Sequence, residues 1–476
     1  MVVPDPAHND GLLNEAIRHL QAGQLSAAGQ LCRQVSQAEP HNPKARYVSG
    51  LIAREAGDPQ EAIRCFEEAV RLAPRNATPL WQLANTLAQT GRMDPAIACY
   101  QQLLQLVPNT EDVYNNLGLA FSAQGNLVQA EQALREAVRL KPDYAGAHYN
   151  LATVFQRQQK LDEALVAYEA ALAVEPGLVQ ACIGMGTAFL IRGRTAQAIA
   201  HLRKAQALNP GLSETYFKLF TATFSETGPQ EAMAVLESAL AVAPGNQQAR
   251  FHLAVLSELA GDNARARQLF GGLDRTWPEY EYYVDSWNYA REHVGRGARL
   301  HTLTTDSLRY AFGRASIEGL ILEFGVWYGN SINFLAALTP EPLHGFDSFE
   351  GIPEAWSGMP AGSYSTQGRL PPVAENVTLH RGWFEDTLPG FVKTHEGPVR
   401  FINIDCDTYA STKTILDCLG GRVVPGTVLI FDEYFCYPGW REHEYRAFQE
   451  FIRDSGLGYE YLLFNLVSRQ VAVLIK

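Results

Sequence analysis

Along the first 280 residues, small and apolar positions return on a fixed beat. Prolines stand at Pro40, Pro74, Pro108, Pro142, Pro176, Pro210, Pro244 and Pro278, each 34 residues after the last. Twelve residues before each lies an alanine: Ala28, Ala62, Ala96, Ala130, Ala164, Ala198, Ala232 and Ala266. Seventeen residues before the proline comes a glycine in six units (Gly23, Gly57, Gly91, Gly125, Gly193, Gly261), with Gln159 in its place in the fifth and a shifted Gly228 in the seventh. The unit predicted is helix, turn, helix, turn, repeated eight times.

Each position has a packing reason. The alanine lets the second helix approach the first, where a larger side chain would push the backbones apart. Small residues on the first helix (Ala16, Gly50, Ala84, Gly118, Ala152, Gly186, Ala254) are expected to meet it, with Phe220 as the exception. The glycine ends the first helix in a left-handed conformation, and the proline follows the second helix because it cannot continue it. Phe66, Tyr100, Phe155, Tyr168, Phe189 and Phe270 are predicted to fill the core between units.

After Pro278 the beat ends. Aromatic-rich Glu279–Tyr289 and the glycines at 295 and 297 read as a capping helix and connector (281–302), and a further helix is expected over Thr304–Phe312. Short apolar runs then alternate with helical stretches, as in a doubly wound α/β sheet. The predicted strands are Leu320–Phe324, Leu343–Phe346, Val377–His380, Phe401–Ile404 and Val428–Phe431, then Tyr459–Phe464 and Val471–Ile475 with no helix between them. That final hairpin makes the last strand antiparallel. The fold class expected is therefore multidomain, α plus α/β: an α-solenoid over 9–280, the connector, and a Rossmann-like sheet over 303–476.

Composition narrows the function. Of 476 residues, 46% are hydrophobic and 19% charged, which is ordinary globular usage and leaves little room for disorder. Thirty-nine basic against 51 acidic residues leave a net charge of −12, the wrong sign for gripping a phosphate backbone, so no nucleic-acid partner is expected. Seven cysteines without a C-x-x-C pair suggest neither a disulfide framework nor a zinc site, but small apolar residues in a reducing compartment. Met1–Leu13 carries Asp5 and Asp10 and no apolar h-region, and no stretch approaches the ~20 apolar residues of a membrane span. A soluble, cytoplasmic protein with no membrane partner is expected.

In doubly wound sheets, ligands bind beyond the carboxyl ends of the strands. The first strand runs into Glu323-Phe-Gly325-Val-Trp-Tyr328-Gly329-Asn-Ser331, whose glycines permit close backbone approach and whose Ser331 is expected to cap a helix with an anion-friendly N-terminus. The second ends in Gly345-Phe-Asp347-Ser348-Phe-Glu-Gly351, placing a carboxylate where a ribose would offer two hydroxyls. Beyond the third, Trp383 and Phe384 can sandwich an adenine, although a core tryptophan would look the same. The fourth and fifth strands end in Asp405-Cys-Asp407-Thr-Tyr and Asp432-Glu433-Tyr434. Carboxylates gathered at one sheet edge are costly unless a cation neutralises them or they hold protons, so a hard ion such as Mg²⁺ is the expected explanation, with isolated surface carboxylates as the alternative.

The two halves resemble known families. The 34-residue pattern resembles tetratricopeptide repeats, which implies a superhelix whose concave groove takes a protein or peptide partner. Asn85, Asn115, Asn116 and Asn150 lie on the lining helices, where their amides either bind an extended ligand backbone or are simply solvated. The array can alternatively serve to dimerise the chain, so a homo-oligomer is one possibility.

Residues 303–476, with the five strand-end motifs above together with Gly382-Trp383-Phe384-Glu-Asp-Thr-Leu-Pro389 and Ser411-Thr-Lys413, resemble the macrocin O-methyltransferase family. That resemblance implies S-adenosylmethionine as cofactor and methyl transfer to a hydroxyl of a glycan or glycosylated metabolite, commonly with a divalent metal. It implies that Glu323, Gly325, Gly329 and Ser331 hold the methionine portion, Asp347 the ribose, and Trp383 with Phe384 the adenine edge, with Tyr328 and Ser348 also among the cofactor-binding residues. It maps the metal onto Asp405, Asp432 and Glu433, where the family usually has Asp-Asp-Tyr and this chain has Asp-Glu-Tyr. The catalytic candidates are Asp405 and Asp407 as proton acceptors and His443 as a second base. Two rival readings stand beside this: a repeat-based scaffold with a degenerate enzyme half, and a methyltransferase acting on a protein side chain.

Overall fold

A computed structural model describes residues 6–476 of the chain; Met1–Asp5, and with them the Asp5 of the N-terminal reading, lie outside it. The described chain divides into two compact units, 1–181 and 182–476. Sixteen consecutive helices, α1–α16, run from Pro6 to Gly271.

The first unit holds α1–α10 (Pro6–Val174) and the first turn of α11 (Val179–Ile191). Three of its helices, α3 to α5, start on a side-chain cap. Asn42 accepts the N–H of Ala45 ahead of α3 (Pro43–Glu55), and Asp58 accepts that of Glu61 ahead of α4 (Pro59–Leu72), both at 3.0 Å and both with proline as the first helical residue. The repeat glycines end the first helix of each pair with φ between +67° and +83° at Gly23, Gly57, Gly91, Gly125, Gly193 and Gly261. Gln159 adopts the same left-handed conformation, φ 59°, without the freedom of glycine.

The repeat alanines are all buried, at 0–3% exposure. The glycines of the first helix also meet a bulkier neighbour: Gly118 lies against the Ala130 carbonyl, where an added Cβ would stand 3.3 Å away, but the tighter contacts are with larger side chains. A Cβ added at Gly50 would lie 2.5 Å from the Phe66 ring, and one at Gly118 would lie 2.6 Å from Leu134. Each glycine thus makes room for the bulky residue one turn beyond the alanine, and the alanine keeps the helix axes close enough for that side chain to reach.

In the second unit the repeats continue through α12 (Thr195–Leu208), α13 (Ser213–Thr227), α14 (Pro229–Val242), α15 (Gln247–Leu259) and α16 (Asn263–Gly271). Then follow α17 (Tyr280–Val294), β1 (Arg299–His301), α18 (Thr304–Arg314), β2 (Leu320–Phe324), α19 (Asn330–Ala336), β3 (Leu343–Asp347), β4 (Val377–Arg381), α20 (Phe384–Thr394), β5 (Val399–Ile404), α21 (Tyr409–Leu419), β6 (Val428–Phe431), α22 (Glu444–Ser455), β7 (Tyr459–Asn465) and β8 (Val471–Ile475). The sheet order is β1-β7-β8-β6-β5-β2-β3-β4. Only β8 is antiparallel, to both β6 and β7, because the short turn after β7 leaves no length for a crossover.

Every residue of β6, and all of β5 except Arg400, is buried, as continuous apolar runs in a doubly covered sheet require. β2 pairs with β3 on one side and β5 on the other, so the order reverses at β2 and opens a crevice beyond its end. β1 was absent from the predicted strands: Arg-Leu-His is too short to carry a pattern, and it is a strand because β7 supplies its parallel edge. α17 is more than a connector. Its Trp287 is 2% exposed, its Ser286 accepts the N–H of Cys436 at 2.9 Å, and its Asp285 accepts Nε1 of Trp440 at 3.0 Å, which pins the segment after β6.

The seven cysteines are free thiols. Among the described residues no helix is long and apolar enough to cross a membrane.

Candidate active site

The backbone after β2 is the tightest point of the site. Gly325 has φ 91°, and a Cβ there would lie 1.6 Å from the carbonyl oxygen of Asp405 at the end of β5. No other residue type can occupy the position without moving one of the two strand ends. Trp327 follows with φ 48°, a left-handed conformation that an aromatic residue holds only when its surroundings impose it.

Asp347 imposes it. Its Oδ2 accepts the main-chain N–H groups of Val326 and Trp327 at 2.9 and 2.7 Å, and its Oδ1 accepts that of Phe349 at 2.6 Å. The carboxylate expected to wait for a ribose therefore already buttresses two loops, with one acceptor position left on Oδ1.

Glu323 is 1% exposed and points beneath the turn, where Ser331 Oγ donates to it at 2.8 Å and Asn403 Nδ2 at 3.0 Å. Burial pushes its carboxyl up to about 8. Ser331 was expected to cap α19; instead its hydroxyl is committed to Glu323, Gly329 is the N-cap with no side-chain cap, and α19 has only seven residues.

A cavity of about 630 Å³ opens over these strand ends. Gly325, Asp347, Ser348, Trp383 and Phe384 line it together with Asp405, Asp407, Asp432 and Glu433. Trp383 precedes α20 as its N-cap, and Phe384 stands edge-on to Phe324 with ring centroids 5.3 Å apart. Tyr328 and Ser331 lie instead in a second cavity of about 410 Å³, which shares Trp327, Asp405 and Asp432 with the first. Glu323 and Gly329 line neither. His443 also lines neither: it precedes α22, half-buried against the ring of Tyr437, and burial lowers its pKa.

The four carboxyls line one cavity, and their pKa values are raised. Burial, and then the charge of Asp432, carry Asp405 well above the usual carboxylate range. Burial beside Asp432 brings Asp407 up to about 7, and burial brings Asp432 to about 6 and Glu433 to about 8. Asp407 also sits at φ 64°, just before the Thr408 cap of α21.

The expected Mg²⁺ ligand set is not assembled. Glu433 turns to Arg469, whose Nη1 donates to both of its oxygens, and Asp432 accepts Nε2 of Gln470 at 2.6 Å. Among the described residues no group of three His, Cys, Asp or Glu side chains is placed to hold a metal ion. The residues as arranged do not fit the ion, because the longer Glu433 arm reaches a guanidinium instead.

Sequence reading missed three participants. Arg469 and Gln470 come from the β7–β8 turn, a stretch with no motif. Glu444 is fully buried at the start of α22 and accepts the N–H of Glu433 at 3.2 Å; an acidic residue opening an amphipathic helix gave no sign of this. The asparagines of the array form a ladder among themselves: Asn150 donates to Asn115, Asn115 to Asn116, and Asn116 to Asn85, at 2.9–3.2 Å, and Tyr100 also donates to Asn85 at 2.7 Å. They are neither isolated nor simply solvated.

Comparisons with known proteins agree with both halves. Residues 322–434 match a family model described as a methyltransferase domain. A curated relative from Streptomyces olivaceus, an 8-demethyl-8-(2,3-dimethoxy-alpha-L-rhamnosyl)-tetracenomycin-C 4′-O-methyltransferase, is 31% identical over 157 residues, 27% of this chain and 59% of its own length. The chain thus spans less than two thirds of that relative. Among solved structures, MamA is 28% identical over 34% of this chain and 94% of its own, with TM-score 0.33. A tetratricopeptide repeat protein from Parabacteroides merdae is 19% identical over 52% of this chain and 98% of its own, with TM-score 0.42. Residues 9–264, more than half of the sequence, match the model described as the cilia and flagella-associated protein 70 C-terminal domain. The chain therefore belongs to that tetratricopeptide-repeat family and carries a methyltransferase domain behind its repeats.

Proposed function

We propose that the chain is an S-adenosylmethionine-dependent O-methyltransferase that methylates a hydroxyl of a glycan or glycosylated metabolite, and that its repeats hold the carrier or partner protein that presents the acceptor. The observation that carries this reading is the 630 Å³ cavity, whose lining combines the aromatic Trp383 and Phe384 with the protonatable Asp405 and Asp407. The aromatic rings suit a nucleoside, and the carboxyls suit a hydroxyl that must lose a proton. The similarity to a sugar 4′-O-methyltransferase supports the acceptor class.

The chemistry is an in-line displacement at the cofactor's sulfonium methyl. Bound in this cavity, S-adenosylmethionine would supply the methyl group to the acceptor oxygen, with its sulfur leaving as the neutral thioether. Most of the acceleration comes from alignment of oxygen, carbon and sulfur. Asp407 takes the acceptor's proton: its pKa of about 7 lets it be ionised before the step and hold the proton after it near neutral pH.

The test is calorimetric titration of S-adenosylhomocysteine into the full chain, followed by methyl transfer to a panel of hydroxylated glycosides with Asp407→Asn as control. Micromolar affinity, on the order of −8 kcal/mol, is expected, with turnover lost in the variant and binding kept. Absence of binding sinks the proposal.

A further inference from the structure

The second cavity, about 410 Å³, is walled partly by the repeats. Leu190 and Ile191 from the end of α11 and Thr221 from α13 line it together with Tyr328 and Ser331 of the β2–α19 turn. Three contacts fix this wall in place. Thr302 Oγ1 donates to the carbonyl of Thr221 at 2.9 Å, Ser225 donates to Asp306, and Gly193 in the α11–α12 turn rests on Thr305 and Phe334, where an added Cβ would stand 3.4–3.5 Å away.

The cavity is polarised. Where it meets the main cavity it carries Asp405 and Asp432. The start of α18 also lines it, and the N-cap Leu303 has no side-chain group to satisfy the first N–H donors. Thr305 lies there too, 7% exposed and with no partner for its Oγ1. A ligand that is positive near the carboxylates and negative near the helix start matches this arrangement, which is the charge pattern of an amino acid carried on a sulfonium.

We propose that the sixth and seventh repeats are part of the cofactor pocket: Leu190, Ile191 and Thr221 close the space that takes the amino-acid end of an adenosyl cofactor, and Thr305 receives its carboxylate. This rests on the methyltransferase reading above. It makes the repeats a structural part of the enzyme site as well as a platform for a partner.

Two probes test it on the full chain: S-adenosylhomocysteine, which has the amino-acid end, and methylthioadenosine, which lacks it. Ile191→Trp, which fills the cavity from the repeat side, is expected to weaken the first at least tenfold and change the second less than twofold. Thr305→Val is expected to act in the same direction with an unchanged melting temperature. Variants that bind both probes like the wild type overturn the inference and leave the methyltransferase reading standing, as does equal weakening of both. A wild-type chain that binds neither probe overturns both.

Discussion

Arg469 Nη1 lies 3.1 and 3.4 Å from the two carboxylate oxygens of Glu433, 36 residues away, so the residue standing in the metal-ligand position is held by a guanidinium. Glu433 is 17% exposed, and removing Arg469 leaves its charge without a partner. Glu433 has its pKa raised to about 8, so it disfavours the folded state progressively as pH rises from about 4.5 to 8, and Arg469 limits that loss. Arg469→Met is therefore expected to cost about 1–3 kcal/mol at pH 8, reduced by the partial exposure of the pair, and less at pH 5, where Glu433 is protonated. Urea unfolding at the two pH values measures this, and Glu433→Gln in the same background should remove most of the deficit. Equal deficits at both pH values would contradict the pairing.

Gly325→Ala places a methyl 1.6 Å from the Asp405 carbonyl. Because both partners are main chain at a strand end, no rotamer change relieves the clash, and a loss above roughly 3 kcal/mol is expected. Thermal unfolding together with nucleoside titration checks it; near-wild-type values for both would mean that the strand ends are not this close.

His252 on α15 is 3% exposed among the rings of Phe217, Phe220, Phe251 and Tyr283, with no partner for Nε2. Burial lowers its pKa to about 3, so the folded chain binds the neutral form and the unfolded chain is protonated first. The stability this supplies is complete above pH 6.5 and is lost as pH falls toward 3, at about 1.4 kcal/mol per unit. His252→Phe should flatten the acid limb by about 2 kcal/mol between pH 6.5 and 5, read from denaturant midpoints. An unchanged slope would show that the ring is reached by water.

Gln159 holds φ 59° at the turn where its six counterparts are glycine. The strain of a side chain in that conformation is about 1 kcal/mol, partly offset by the greater unfolded-state freedom of glycine. Gln159→Gly is expected to stabilise the first unit by a few tenths to 1 kcal/mol. A destabilised variant would indicate that the glutamine side chain makes contacts that outweigh its backbone strain.

Much of this protein was determined by its sequence alone. The 34-residue period specifies the helix pairs, because helical packing repeats locally and six of the left-handed turns carry their glycine within the same unit. The apolar runs specify β2 to β8 and the acidic residues at their ends, since a doubly covered strand must be apolar along its length and can carry charge only where it leaves the sheet. Other features were decided by tertiary structure. β1 exists because β7 offers an edge. Asp347 is engaged by three main-chain donors, Ser331 by Glu323, and Glu433 by Arg469, which together redirect the ribose, cap and metal roles read from the motifs. The physical reason is one of range. Backbone conformation and hydrophobic period are set by neighbours a few residues away, whereas a polar side chain's partner is whichever donor the packed chain brings into hydrogen-bond range, as Asn403 reaches Glu323 from 80 residues away.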